Sequence, residues 1–168
     1  MTERAGHGAS RSYHEALRAW PGAVTLLTIS DERDDIGTTI SAFCPVSEVP
    51  PLVLVSLIAQ SYPAEVLGRL DLFAVTLLEA GQRMLAGRFA AAGRPGARLL
   101  LEGVPHRRGE YSGALIPDGG LTAFECEVTS RMPAGDHLLV VARVLAVAYV
   151  AESGEPLIRF RGGYLSSR

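Results

Sequence analysis

Seven segments of strand length and strand composition dominate this chain, and their mostly antiparallel connections restrict what it can fold into. Val24, Leu26 and Leu27 mark Ala23–Ser30 as the first strand. The acidic turn Asp31–Asp35 reverses the chain, and Ile36–Ala42 returns. Leu52–Ala59 is a nearly continuous apolar run, as in a central strand, and Leu72–Leu78 follows it. Leu121–Arg131 alternates, with Phe124, Cys126 and Val128 on one face and Glu125, Glu127 and Thr129 on the other. After a tight turn at Met132–Asp136, His137–Val150 reads as a long strand. Pro156–Phe160 with Gly162–Tyr164 forms a last hairpin-like piece.

Helical patterns are few and short. Ser12–Ala19 carries Ser12 as a cap with Glu15 three residues on, and Leu17 and Trp20 are expected to face inward. Ser61 followed by Pro63 signals a helix start that runs to about Arg69. Gln82–Ala92 places Leu85 and Phe89 on one face, and Gly93 stops it. Residues 97–120 are interrupted by Gly and Pro and are expected to be irregular. The balance predicts a mainly β fold, a closed or split β-barrel with a few short helices, rather than a doubly wound sheet. One domain is expected over residues 12–168, after a disordered polar tail at 1–11.

Composition removes several kinds of chemistry. All 16 cationic residues are arginine, so a lysine Schiff base and a P-loop lysine are both impossible. The net charge of −2 and the lack of a basic cluster beyond Arg107–Arg108 argue against nucleic acid. No GxGxxG follows a strand, which leaves a Rossmann site unsupported. The four histidines show no metal-ligand spacing. Cys44 and Cys126 form no CxxC and read as buried free thiols. No signal-peptide pattern or membrane-length apolar run is visible, so the cytoplasm is the default compartment.

The stretch from Gly37 to Ser61, GTTISAFCPVSEVPPLVLVSLIAQS, concentrates potential ligand donors. Thr38, Thr39 and Ser41 lie on an extended run. A turn region with Ser47, Pro50 and Pro51 follows, and then the apolar strand from Leu52. Hydroxyl and backbone donors beside a buried strand suit a flat, polar-edged heterocycle that carries a phosphate.

Ordered blocks along most of the chain resemble the short-chain flavin reductase family. They begin with Trp20-Pro21-Gly22-Ala23-Val24-Thr25, Gly37–Ser41 with Phe43, and Val46-Ser47 with Pro50-Pro51-Leu52-Val53. Gln82 with Leu85-Ala86, Arg88-Phe89-Ala90, Gly135-Asp136-His137 and Gly163-Tyr164 continue the series. The resemblance implies a Greek-key split barrel and a homodimer. It implies hydride transfer from NADH or NADPH to FMN or FAD, with reduced flavin supplied to a partner monooxygenase. It also implies site residues. Thr38, Thr39 and Ser41 would line the isoalloxazine edge, or simply fill an edge strand. Ser47 would contact flavin or cap its own turn. Ser56 and Ser61 bracket a strand end where Ser61 would meet the flavin phosphate or serve as a plain N-cap. Arg88 and Phe89 would approach the flavin, with Phe89 also readable as core. His137 would sit by the nicotinamide as the one catalytic candidate, or be held in its turn by Asp136. Arg161 and Tyr164 would border the nicotinamide pocket, or belong to an exposed hairpin. The segment Ile58–Pro63 departs from the family pattern, which keeps two alternatives open. One is a repurposed flavoenzyme acting on a small organic substrate, and the other is a non-catalytic flavin-binding partner.

Overall fold

The computed structural model describes residues 12–165, so the expected tail at 1–11 lies outside the described residues. A helix over residues 12–18 (α1) leads into β1 (Gly22–Ala23), β2 (Thr25–Ser30), β3 (Asp35–Ile40), β4 (Phe43–Glu48) and β5 (Pro51–Ile58). Helix α2 (Tyr62–Leu67), β6 (Leu72–Leu77) and a 3-10 turn (Ala80–Gln82) precede α3 (Arg83–Ala90) and α4 (Ala97–Leu100). The chain closes with β7 (His106–Arg108), β8 (Leu115–Pro117), β9 (Thr122–Ala134), β10 (His137–Val150), β11 (Ile158–Phe160) and β12 (Gly163–Tyr164).

Seven strands form the main sheet in the order β3-β2-β6-β9-β10-β5-β4, and every neighbouring pair is antiparallel. The two edge strands, β3 and β4, are consecutive in sequence and are joined only by Ser41 and Ala42. Three peptide units span at most about 11 Å. The sheet must therefore curl until its edges nearly meet, and that is the split barrel. Register shifts between β9 and β10, at Val141/Ala142, Val144/Ala146 and Val147/Tyr149, supply local bends. The barrel interior is filled from all sides, by Leu27, Ile40, Val55, Phe73, Cys126 and Val140 among others, and α2 plugs it with Val66 and Leu67. A second core lies outside β2, where Leu26, Leu78, Phe89, Leu100, Leu101 and Leu157 pack beneath α3 and α4. Burial on both faces of β2 explains why its sequence does not alternate.

Several expectations are corrected. Phe43–Glu48 is a strand rather than a turn region, because it completes a hairpin with β5. As an edge strand it tolerates Pro45 beside its register shift. Met132–Ala134 belongs to β9, and the turn shrinks to Gly135 and Asp136, with Gly135 at φ 62°. Leu17 and Trp20 are exposed rather than inward-facing, and Ser12 lies inside the helix rather than capping it. Residues 97–100 form a short helix instead of an irregular segment. Cys126 is buried as expected, and burial with the nearby Glu125 charge pushes its thiol up to about 12, but Cys44 is exposed.

Two buried carboxylates pin the outside of the barrel. Glu125 lies on the outer face, opposite Cys126 as the alternation predicts, but it is buried there and accepts hydrogen bonds from the backbone N–H groups of Glu110, Tyr111 and Ser112 and from the Ser112 hydroxyl, at 2.7–3.1 Å. Asp35, fully buried at the start of β3, receives Arg98 Nε at 2.5 Å and the Arg108 guanidinium at 2.7 and 2.9 Å. Burial by itself raises the Asp35 carboxyl, yet its bonds to Arg108 and Arg98 hold it below the usual carboxylate value of 3.8. A depressed folded-state pKa adds stability that is present above the unfolded value and is lost as pH falls through the folded one. Asp35→Asn is therefore expected to destabilise the protein by about 2 kcal/mol at neutral pH, less than a fully buried pair because both arginines reach solvent. The deficit should shrink once the pH drops below about 4. Denaturant unfolding at a series of pH values checks both the size and the sign.

Candidate functional site

Where the barrel edges converge, a cavity of about 220 Å³ opens. Thr38, Thr39, Ser41, Ser56, Ser61 and His137 line it, with Ile40, Leu57 and Ile58 as apolar walls. The cavity draws on four separate segments. Thr38 and Thr39 come from β3, paired with Leu27 and Leu26 of β2. Ser41 sits on the two-residue link. Ser56 lies on β5 opposite Leu139, and its N–H donates to the Ala42 carbonyl at 3.0 Å, tying β5 to the link.

Ser61 caps α2, accepting from the Ala64 N–H at 3.4 Å, a long bond that engages its hydroxyl weakly. Its own N–H donates to the Ile58 carbonyl at 2.9 Å. The Ala59 N–H donates to the Asp136 carbonyl at 2.9 Å, which fastens this loop to the β9–β10 turn and so to His137. His137 opens β10 opposite Ile58, with Nδ1 2.7 Å from Asp136 Oδ1. That bond from His137, with its charge, keeps the Asp136 carboxyl below its ordinary value. Holding Nδ1 in this way orients the ring and leaves Nε2 for a ligand.

The other predicted residues do not join this cavity. Phe89 is fully buried in the second core, so its expected contact with flavin is corrected to a packing role. Arg88 lies exposed on α3 and reaches back to the Leu100 carbonyl at 3.4 Å, away from the cavity. Ser47, on β4, lines neither cavity and pairs with Leu52 of β5. Tyr164 packs against the second core beneath the Arg83 guanidinium, 5.6 Å from its ring centre. Arg161 lines a second, larger cavity of about 950 Å³, which shares Ser41 and Ala42 with the first.

Sequence reasoning missed what α3 does for the site. Gly37 precedes Thr38 on β3, and a Cβ there would lie 2.3 Å from Phe89 Cε1. Arg94 Nε donates to the Gly37 carbonyl at 2.8 Å, and its Nη1 donates to the Ala91 carbonyl at 3.2 Å. Phe89 and Arg94 thus clamp the backbone that carries Thr38 and Thr39. The available signal was the glycine itself, since a glycine inside a strand often marks close approach by another group.

Residues 17–168 match the family model "Flavin reductase like domain", and the chain belongs to that family. It is 37% identical over 158 residues to the FMN reductase (NADH) SmoA of Agrobacterium fabrum, covering 92% of this chain and 83% of that one. It is 32% identical over 153 residues to the reductase component of 4-hydroxyphenylacetate 3-monooxygenase of Thermus thermophilus, covering 91% of this chain and 93% of the relative. The Streptomyces globisporus NADH:FAD oxidoreductase SgcE6, solved in complex with NAD and FAD fragments, superposes with a TM-score of 0.87 at 26% identity, over 96% of this chain and 94% of that one.

The donor set fits a flavin edge. Hydroxyls at five lining positions and one imidazole can donate to ring carbonyls and nitrogens, and no lining residue is a carboxylate that would repel added negative charge. Gly37→Ala tests the clamp. Overpacking against Phe89 should cost about 1–3 kcal/mol and weaken flavin binding together. Adding Phe89→Leu should restore much of both. Thermal melts and flavin fluorescence titrations of the single and double variants check this.

Proposed function

We propose that this chain is an NADH-dependent flavin reductase that transfers hydride to FMN or FAD and supplies reduced flavin to a partner monooxygenase. The observation that carries the reading is the convergence of Thr38, Thr39, Ser41, Ser56, Ser61 and His137 on one cavity at the barrel closure. The flavin, when bound, supplies the hydride-accepting ring. The chain's residues bind, orient and shield. The β3 hydroxyls and backbone meet the polar ring edge, where negative charge grows as the ring is reduced. Ser61, at the start of α2, donates to the ribityl-phosphate end. His137, its ring fixed through Nδ1, would orient the nicotinamide beside the flavin ring. Ile40, Leu57 and Ile58 keep water from one wall. No side-chain nucleophile is needed.

The monooxygenase link rests on relatives that are reductase components of such systems. A homodimer and a cytoplasmic location belong to the same proposal. Among the described residues no helix is long and apolar enough to cross a membrane.

The test is loss of NADH absorbance by purified protein, with and without added FMN or FAD, and with NADPH in place of NADH. Turnover that saturates with flavin is expected, with NADH preferred. Firmly bound flavin with no NADH oxidation would overturn the reading. His137→Ala should lower kcat/KM for NADH by roughly tenfold and weaken flavin binding by a smaller factor. Steady-state kinetics alongside a flavin titration separates the two effects.

A further inference from the structure

The segment from Ala59 to Asp71, which carries α2, is gripped at both ends by the β9–β10 hairpin. At its start the Ala59 N–H donates to the Asp136 carbonyl at 2.9 Å, in the turn of that hairpin. At its end the Arg131 guanidinium, on β9, gathers three acceptors. Nε donates to the Leu67 carbonyl at 2.5 Å, and Nη2 donates to the Leu70 carbonyl at 3.1 Å and to Asp71 Oδ1 at 2.5 Å. Arg131 pairs with Val140 of β10, and the same ladder ends on the pair Ala134 and His137. One hairpin therefore presents His137 to the hydroxyl-lined cleft and holds the helix whose N-cap, Ser61, lines that cleft too.

The helix needs this hold. Six residues are too few for a helix that is stable alone. Leu67 is its last residue, so its carbonyl is one of the acceptors that a helix end leaves without an internal partner. The last turn of α2 contains no basic residue to meet it, and Arg131 supplies the cation from another strand. The ion pair with Asp71 adds little, since the Asp71 side chain is 63% exposed. The start of β6 does not depend on Arg131, because the Val128 N–H donates to the Asp71 carbonyl at 2.8 Å and Leu72 pairs with Glu127. Losing the guanidinium would thus release the end of α2 and leave the barrel ladder in place. Arg69 ties the same end to Asp31, on the β2–β3 turn, so α2 is set between the strand that carries Thr38 and Thr39 and the hairpin that carries His137.

We infer that Arg131 is a positioning residue for this cleft: by fixing the end of α2 to the β9–β10 hairpin, it sets the separation of Ser61 and His137. Arg131 does not line the cleft and acts only through the helix. The inference rests on the reductase reading only for what fills the cleft. A lysine in its place would keep the charge but not the planar fork that meets Leu67 and Leu70 together.

The test compares Arg131→Gln, Arg131→Lys and Glu125→Gln in the full-length protein. Glu125→Gln is the control, because it weakens a buried anchor on the outer face of the same strand. In the ligand-free protein, amide hydrogen exchange over residues 59–71 should quicken in Arg131→Gln, with β6 and β10 protected as in the parent. FMN binding, followed by flavin fluorescence, should weaken roughly tenfold, and kcat at saturating FMN and NADH should fall by a similar factor. Arg131→Lys should fall between parent and Arg131→Gln, and it carries the comparison if Arg131→Gln does not fold. Glu125→Gln should lower the melting temperature yet keep FMN affinity and kcat within about twofold. The inference is overturned if exchange over residues 59–71 is unchanged in the Arg131 variants, if they bind and turn over FMN as the parent does, or if Glu125→Gln loses as much. A parent that binds FMN but oxidises no NADH would sink the reductase reading alone, and exchange and FMN affinity would still decide the role of Arg131.

Discussion

The two-residue link between β3 and β4 is the constraint on which the rest of this molecule depends. It joins the outermost strands of a seven-stranded antiparallel sheet, so the sheet has no choice but to curl. Curling brings apolar side chains from six strands into one interior, and α2 closes the open end. The same link leaves a gap where the edges meet without a full ladder of hydrogen bonds, and the candidate site occupies that gap. Closure and site are thus one event. The residues that complete the barrel also line the candidate site with hydroxyls.

Rigidity at the gap comes from behind. Phe89 packs where only a glycine permits, and Arg94 holds the Gly37 carbonyl, so the outer core fixes the strand that carries Thr38 and Thr39. Asp35, buried and gripped by Arg98 and Arg108, anchors the other end of β3. On the opposite side, the Asp136 carbonyl ties the Ala59 loop to the turn that presents His137. The arms of the site therefore lean on the scaffold behind them as well as on each other, as suits a surface that must receive and release a large flat ligand.

Much of the fold was legible because period-two patterns and apolar runs are local signals. The β5, β6 and β10 strands, the Ser61 cap and the helix near residue 85 all appear where the pattern puts them. The edge strand β4 was not legible. Its Pro45, Ser47 and exposed Val46 resemble a turn until a partner strand is known. The alternation put Glu125 on the face opposite Cys126, but its burial was not legible, since it depends on four donors from a loop over ten residues earlier. In the site, the hydroxyl-rich segment and the Gly-Asp-His turn were readable as candidates. Arg88, Phe89, Ser47 and Tyr164 were not separable from them, because a motif records that residues occur together and not which face each takes.

By itself the sequence determined most strands of the main sheet, two of the short helices and the exclusion of lysine-based chemistry, because these depend on residue type and local periodicity. It also contained the residues of the candidate cleft. Only the tertiary structure decided which of them meet. Thr38 and His137 lie almost a hundred residues apart and share a cavity because β10 lies next to β5 and the β3–β4 link folds over both. Phe89, on α3, packs in the outer core behind β3 instead, where the absence of a Cβ at Gly37 makes room for its ring. The larger arginine-lined cavity exists only because α1 and the β11–β12 turn are brought together by long-range backbone bonds that no local pattern encodes.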